Sequence, residues 1–301
     1  MPELPEVETI ARGLDRQISG KIFASAEVFR SKAVVTKEAA PLGALLAGDR
    51  VARVGRRGKL VRIALESGRE LVVHLRMTGR LIVQHPPPAP PEPASPGAIG
   101  SEGPEAPASG PLAVPSPSTP YPYTTVALDF VDGTRLCFAD VRRFGRMRLA
   151  EPEDGWAADY GDEPLADEFT FGRFSDRLAG RTTPIKSLLL DQRRIAGIGN
   201  IYACEALWAA RIRPDRSAGS LTRPARLRLY EAIRDVLARA IEMRGTSVDD
   251  YVDADGLKGG FQNVLSVYGK AGRPCSRCNR TLVRTVIGQR GTFWCRSCQS
   301  R

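Results

Sequence analysis

The stretch CSRCNRTLVRTVIGQRGTFWCRSC, residues 275–298, carries the spacing Cys275-x2-Cys278-x16-Cys295-x2-Cys298. Two close cysteine pairs on two turns can deliver four thiolates tetrahedrally to one ion, and the spacing lies in the range of four-cysteine zinc sites. Four thiolates leave no open position for water, so the expected ion is a single, structural Zn2+. A module below about 40 residues needs such a staple, because its own core is too small. An oxidised or metal-free site is the alternative reading. Between the pairs, Thr281–Ile287 and Thr292–Cys295 read as the strands of a β-hairpin joined by Gly288-Gln289-Arg290-Gly291. That places Arg290 at the hairpin tip, where a guanidinium can fork onto a phosphate.

The surroundings of this module are basic. From Lys270 to Arg301 there are eight Lys and Arg residues and no acidic one, which points to a polyanion partner such as nucleic acid. A solvated basic tail is the plainer alternative. The whole chain has 301 residues and a net charge of +10, with 42% hydrophobic residues. No apolar run reaches the 18 or so residues that span a bilayer, and the composition can fill a core, so neither a membrane protein nor a disordered chain is expected. The start MPELPEVETI has neither a basic nor an apolar signal region. A cytoplasmic location follows, where the six cysteines are expected as thiols or metal ligands rather than disulfides.

Residues 86–120 stand apart, with 13 Pro in 35 residues, three Glu and no Lys or Arg. Such a segment buries too little surface to order itself and reads as a disordered insertion. Its charge of −3 leaves +13 on the rest of the chain. Ahead of it, Val7, Ile10, Leu14 and Ile18 mark an amphipathic helix after Pro5. Short β-rich runs follow at Lys21–Arg30, Lys59–Leu65, Glu70–Leu75 and Arg80–Gln84, and beyond the insertion at Thr124–Phe130 and Thr134–Phe138, with a hairpin turn at Val131-Asp132-Gly133. They predict one antiparallel β domain, residues 1–150, interrupted by the insertion. Residues 151–262 read as helical: Ile185–Asp191 and Ile201–Ala210 flank Ala196-Gly197-Ile198-Gly199, and Thr222–Arg244 is capped by Thr222 and stopped by Gly245. The two helices on a glycine turn could form a DNA-binding helix-turn-helix relative or an ordinary helical hairpin. Residues 263–301 form the cysteine module, so the fold class is α+β. Cys137 and Cys204 sit in apolar runs and are expected in the core.

The N-terminus admits two readings. Removal of a methionine before proline would leave Pro2 with a free secondary amine beside Glu3 and Glu6. An N-terminal amine has a reference pKa near 8, so a fraction is neutral and nucleophilic, and a carboxyl alongside can pass protons. Pro and Glu are equally at home in the first turn of a helix.

MPELPEVET, RRGK ending at Lys59, HLRMTG from His74, DVRRFG from Asp140, GIGNIYA from Gly197, DGLKGGFQ from Asp255, VYGKAG from Val267 and the four cysteines occur in this order. Together they resemble the bacterial formamidopyrimidine-DNA glycosylases, over nearly the whole chain except 86–120. The resemblance implies an N-terminal β-sandwich with flanking helices, a helix–two-turn–helix domain and a zinc finger, with damaged double-stranded DNA bound between them by a monomer on the nucleoid. It implies that Pro2 attacks C1′ and forms a Schiff base, Glu3 is the general acid/base and Glu6 supports the site. Lys59 would serve β-elimination and phosphate contact, and Arg290 δ-elimination. On residue chemistry alone Lys59 could be a solvated surface charge.

The resemblance further assigns His74 to a phosphate, and Met77, Arg142 and Phe144 to the space vacated by an extruded base, a task that apolar wedges and a many-donor guanidinium suit. Core packing would account for Met77 and Phe144 equally well. Asn200 is expected to cap the helix from Ile201 and face a phosphate. Arg181 aligns loosely with a DNA-contacting lysine, and the Asp255–Phe261 loop with one that closes over an extruded purine. Two departures stand out: Tyr123-Thr124-Thr125 replaces the usual His-Asp-His, leaving Tyr123 as the donor, and Arg76 replaces a glycine. The expected activity is excision of oxidised purines with strand cleavage. Alternatives are an enzyme for oxidised pyrimidines like endonuclease VIII, or a silent zinc-finger DNA-binding protein.

Overall fold

The computed structural model describes residues 1–86, 119–247, 251, 254 and 256–299; apart from its ends, the expected insertion at 86–120 lies outside the described residues. Helix α1 (Leu4–Ile18) starts at Glu3 in a reciprocal capping box with Glu6. Its Val7, Ile10, Leu14 and Ile18 are buried in the core of the β domain, while Leu4 is buried in the core of the helical domain. One helix therefore belongs to two cores.

After α1 come β1 (Phe23–Val28), β2 (Val34–Val35), α2 (Leu42–Leu46), β3 (Val51–Arg57), β4 (Leu60–Leu65), β5 (Glu70–His74), β6 (Gly79–Gln84), β7 (Thr124–Phe130), β8 (Arg135–Asp140) and β9 (Arg146–Ala150). They make a four-stranded sheet, β1-β7-β8-β6, and a five-stranded sheet, β2-β9-β5-β4-β3. Phe23, Val126, Phe130 and Phe138 from the first meet Ile63, Leu71, Val73 and Met147 from the second in a single core, the expected sandwich. Three strands, β2, β3 and β9, were not foreseen: β2 and β9 are short, and a bulge between Val51 and Arg53 breaks the alternation of β3. The sheet is also not wholly antiparallel, since β2 runs parallel to β9 with Val34 opposite Met147.

The helical domain contains α3 (Phe171–Leu178), α4 (Ile185–Leu190), α5 (Asn200–Ala209) and α6 (Arg223–Glu242) around Phe174, Leu189, Tyr202, Leu229 and Ile233. Thr222 is the N-cap of α6, and Gly245 takes φ +80° just beyond its end. Cys137 and Cys204 are buried, as expected. In the finger, β10 (Val283–Ile287) and β11 (Arg290–Trp294) pair through a two-residue turn, Gly288-Gln289, whose positive φ values of 55° and 61° match the strands' twist. Arg290 therefore opens β11 opposite Ile287 instead of lying inside a four-residue turn. The finger docks on the helical domain through Gln299 Nε2, which donates to Ile212 O at 2.8 Å, and Arg277, stacked 4.0 Å over the Trp208 ring. Among the described residues no helix is long and apolar enough to cross a membrane.

Candidate active site and nucleic-acid interface

The loop between α4 and α5 has to pass very close to the chain's N-terminus. Leu4 N donates to Gly197 O at 3.0 Å, and Gly197 has φ +88° with Leu4 packed where a Cβ would stand. Gln192, which sequence reasoning missed, holds this loop: its Oε1 accepts from Gly197 N at 2.8 Å and its Nε2 donates to Ile198 O at 2.9 Å. The next glycine, Gly199, leaves room for the buried Glu3 side chain. Glu3 Oε1 accepts from Ile201 N at 3.1 Å and Oε2 from Tyr202 N at 3.4 Å, so its carboxylate occupies the N-terminus of α5. This corrects the expectation for Asn200. Gly199 is the N-cap and Asn200 is the first residue of the helix, because the capping position had to be empty of side chain. Asn200 Nδ2 instead donates to Gly291 O at 3.0 Å, beside Arg290.

Glu6 lies one turn below. Its Oε2 accepts from Glu3 N at 2.7 Å and its Oε1 from Thr246 N at 2.7 Å and from the Tyr202 hydroxyl. Burial, then the neighbouring Glu3 charge, push the Glu6 carboxyl up to about 7, against the hydrogen bonds that favour its ionised form. Pro2 is buried between Met1 and Glu3.

Lys59 follows the turn from β3 to β4, and its burial, with 8% of its surface exposed, removes the solvated-charge reading. The turn is gripped by Glu163, whose Oε1 accepts from Gly58 N at 2.6 Å and from Arg57 Nη1 at 3.2 Å. Burial, assisted by Arg290, holds the Lys59 ammonium below the ordinary lysine range, while Glu3 and Glu6 pull the other way. His74 Nδ1 accepts from Arg76 N at 3.1 Å, so the ring proton is on Nε2. Burial first, then Arg76 and Lys59, bring its pKa down to about 4, so this imidazole is a neutral donor at physiological pH.

Glu3, Lys59, His74 and Arg290 line one open cavity of about 770 Å3, together with Met77, Phe144 and Asn200. Met77 and Phe144 are 44% and 52% exposed, which removes core packing as their explanation. Arg142 joins them, its Nη1 donating to Met77 Sδ at 3.2 Å and its guanidinium 5.2 Å from the Phe144 ring centroid. The buried Asp140 ties the two loops together, accepting from Thr78 Oγ1 at 2.5 Å, Arg142 N at 3.2 Å and Gly145 N at 2.6 Å. Two expected contacts lie elsewhere. Tyr123 lines a separate cavity of about 250 Å3 with Thr78, Arg80 and Val141. Arg181 is exposed next to Ser217 and Gly219, both of which donate to its carbonyl. Arg146, on the cavity wall, was not anticipated; its place on a β strand gave no sign of it.

The four cysteine sulfurs lie within 4.8 Å of one another, with Cys275 Sγ 3.9 Å from Cys298 Sγ and Cys278 Sγ 3.5 Å from Cys295 Sγ. Thiolates bound tetrahedrally to one zinc are about 3.8 Å apart, so this donor set fits the single structural zinc. The finger is further bound by Lys186, fully buried, whose Nζ donates to Gly291 O at 3.1 Å and to Thr292 Oγ1 at 2.6 Å. With Asn200 on the same carbonyl, it fixes the base of the Arg290 side chain.

Residues 1–147 match the formamidopyrimidine-DNA glycosylase N-terminal domain, 160–252 the H2TH domain of the same enzymes and 272–301 the zinc finger found in FPG and IleRS. The chain is 42% identical to the formamidopyrimidine-DNA glycosylase of Chloroflexus aggregans, covering 99% of this chain and 98% of that protein. It is 39% identical to that of Pelotomaculum thermopropionicum, covering 99% of each. Among solved structures, MutM (Fpg) of Thermus thermophilus superposes with a TM-score of 0.80 at 38% identity, covering 99% of this chain and 98% of that one. A Lactococcus lactis Fpg mutant in complex with Fapy-dG-containing DNA gives 0.81 at 31% identity over the full length of both.

Proposed function

The chain belongs to the formamidopyrimidine-DNA glycosylase family, and from that premise we propose that it excises oxidised purines from duplex DNA and then cuts the strand. It is a DNA glycosylase of base excision repair. The observation that carries the finer reading is the meeting of Glu3, Lys59, His74 and Arg290, from three segments distant in sequence, on one basic cavity flanked by Met77, Arg142 and Phe144.

Removal of Met1 frees the Pro2 nitrogen next to Glu3. That nitrogen forms a bond to C1′ of the damaged nucleotide as the glycosidic bond breaks, the base leaves with a proton, and the opened sugar is held as an iminium. Glu3 moves protons and its charge opposes that of the iminium. Glu6 acts through Glu3, fixing the backbone on which Pro2 is carried. Lys59, its ammonium destabilised by burial, is suited to take the C2′ proton, expelling the 3′ phosphate by β-elimination. Arg290 then serves the δ-elimination that expels the 5′ phosphate. Met77 and Phe144 fill the vacated stack, and Arg142 offers donors to the orphaned base. His74 and Asn200 face phosphates. Tyr123 and Arg181 are outer contacts on this reading. One chain holds every group named, so a monomer on the nucleoid suffices.

Borohydride trapping on a duplex with one 8-oxoguanine opposite cytosine tests this. A covalent adduct forms with the processed protein and is lost when Met1 is retained; equal trapping by the blocked protein would remove Pro2 as nucleophile. Duplexes with oxidised pyrimidines, run in parallel, fix the lesion class.

A further inference from the structure

We propose that Arg76 is a further DNA contact, its guanidinium taking a backbone phosphate at the mouth of the cavity; this rests on the DNA-binding part of the reading above. Arg76 sits in the turn between β5 and β6 with φ +56°, a left-handed conformation that favours glycine. A large side chain at such a position raises the question of what it is there to contact. The conformation is fixed from within, since Arg76 N donates to His74 Nδ1 at 3.1 Å. The guanidinium itself is exposed and makes no hydrogen bond or ion pair among the described residues.

Its surroundings select an anion. Arg76 lines the same cavity as Lys59, Arg146 and Arg290, where among the described residues Glu3 is the one acidic lining residue, its carboxylate already accepting from two backbone N–H groups. Like-charged neighbours that form no ion pair among the described residues focus a positive potential that a phosphodiester satisfies, and the planar guanidinium can take two of its oxygens at once. Arg76 precedes Met77 in the chain, so the insertion of Met77 between bases would bring the phosphates flanking that step within reach of the arginine. His74, two residues earlier, offers its Nε2 proton on the same side as a neutral donor. Arg76 thereby contributes the charge that His74 lacks.

The test is equilibrium binding of the full-length, zinc-loaded protein to a duplex with an uncleavable abasic-site analogue, from about 50 to 200 mM salt. Arg76→Gly relieves the backbone, so its Tm should hold or rise, while affinity falls about tenfold, the scale of a charge-assisted hydrogen bond. Its slope of log K against log salt should become shallower by about 0.9, the loss of one neutralised phosphate. Arg76→Lys should keep the wild-type slope. Unchanged affinity and slope in Arg76→Gly would overturn the assignment. So would a loss that depends on the base opposite the gap with the slope unchanged, which would put the guanidinium on a base edge. A wild-type protein that binds with an Arg76-dependent slope yet forms no borohydride adduct would sink the catalytic reading and leave this one standing.

Discussion

Replacing Gly199 with alanine isolates the placement of the Glu3 carboxylate. Gly199 has φ −122°, a conformation open to any residue, so the substitution brings no backbone strain. A Cβ there would stand 2.1 Å from Glu3 Cδ, 2.3 Å from Oε1 and 2.5 Å from Cγ, far inside contact distance. The carboxylate must leave, and Ile201 N and Tyr202 N lose their acceptor at the start of α5. Losing a cap of this kind costs about 0.5–2 kcal/mol and overpacking about 1–3 kcal/mol. A total of about 2 kcal/mol would lower Tm by roughly 4–8 °C. The chemical step should suffer more, by about 10²–10⁴-fold, the contribution of a positioned general acid/base. Single-turnover excision on the 8-oxoguanine duplex, with Tm and zinc content measured on the same preparation, separates these effects. Full-rate excision at an unchanged Tm would refute the placement of Glu3 and its role together.

Glu6 predicts a pH dependence. Its carboxyl is raised from an ordinary 4.5 to about 7, so the folded state binds the extra proton and stability falls as pH rises through that window, by up to about 3 kcal/mol. Tm followed against pH should show this decline in the wild type and a flatter profile in Glu6→Gln, which cannot titrate. His74, held near 4, stays neutral from pH 5 to 8; with two histidines in the chain, proton NMR can assign it, and a His74 titration near 6.5 would contradict the Nδ1 bond. His74→Gln, which keeps a donor, should bind DNA within a few-fold of wild type. Cys275→Ser should lower zinc content and DNA affinity together, because the finger carries Arg290; full affinity without zinc would take the finger out of the DNA footprint.

Much of this site can be read from the chain itself. The cysteine spacing and the apolar face of α1 follow from residue type and period, whereas Arg142 and Phe144 were singled out by the resemblance, and their exposure and pairing come from the structure. Other parts depend on contacts between distant segments. Nothing local in the run from Gly58 says that Lys59 is buried, since the Glu163 grip and the cavity wall come from elsewhere. The choice of Gly199 over Asn200 as N-cap depends on a glutamate at the other end of the sequence. β9 was missed although Arg146, Met147, Arg148 and Leu149 alternate polar and apolar as a half-buried strand does; the run is five residues long. Tyr123 was aligned by sequence position, but its own turn, with φ +61°, carries it to a different cavity.

The hydrogen bonds from Ile201 N to Glu3 and from Thr246 N to Glu6 close loops of 198 and 240 residues. At about 5–20 residues per second of synthesis, a nascent chain would hold Glu6 without Thr246 for on the order of 12–48 s. For roughly the first 10–40 s of that interval the first residues have no α5 to fold against, and Leu4 has no Gly197. The trimming of Met1, on which the proposed nucleophile depends, thus has its widest access while the polypeptide is still being made. Maturation and folding share one clock in this protein, and the order of the two is set by how late in translation α5 emerges.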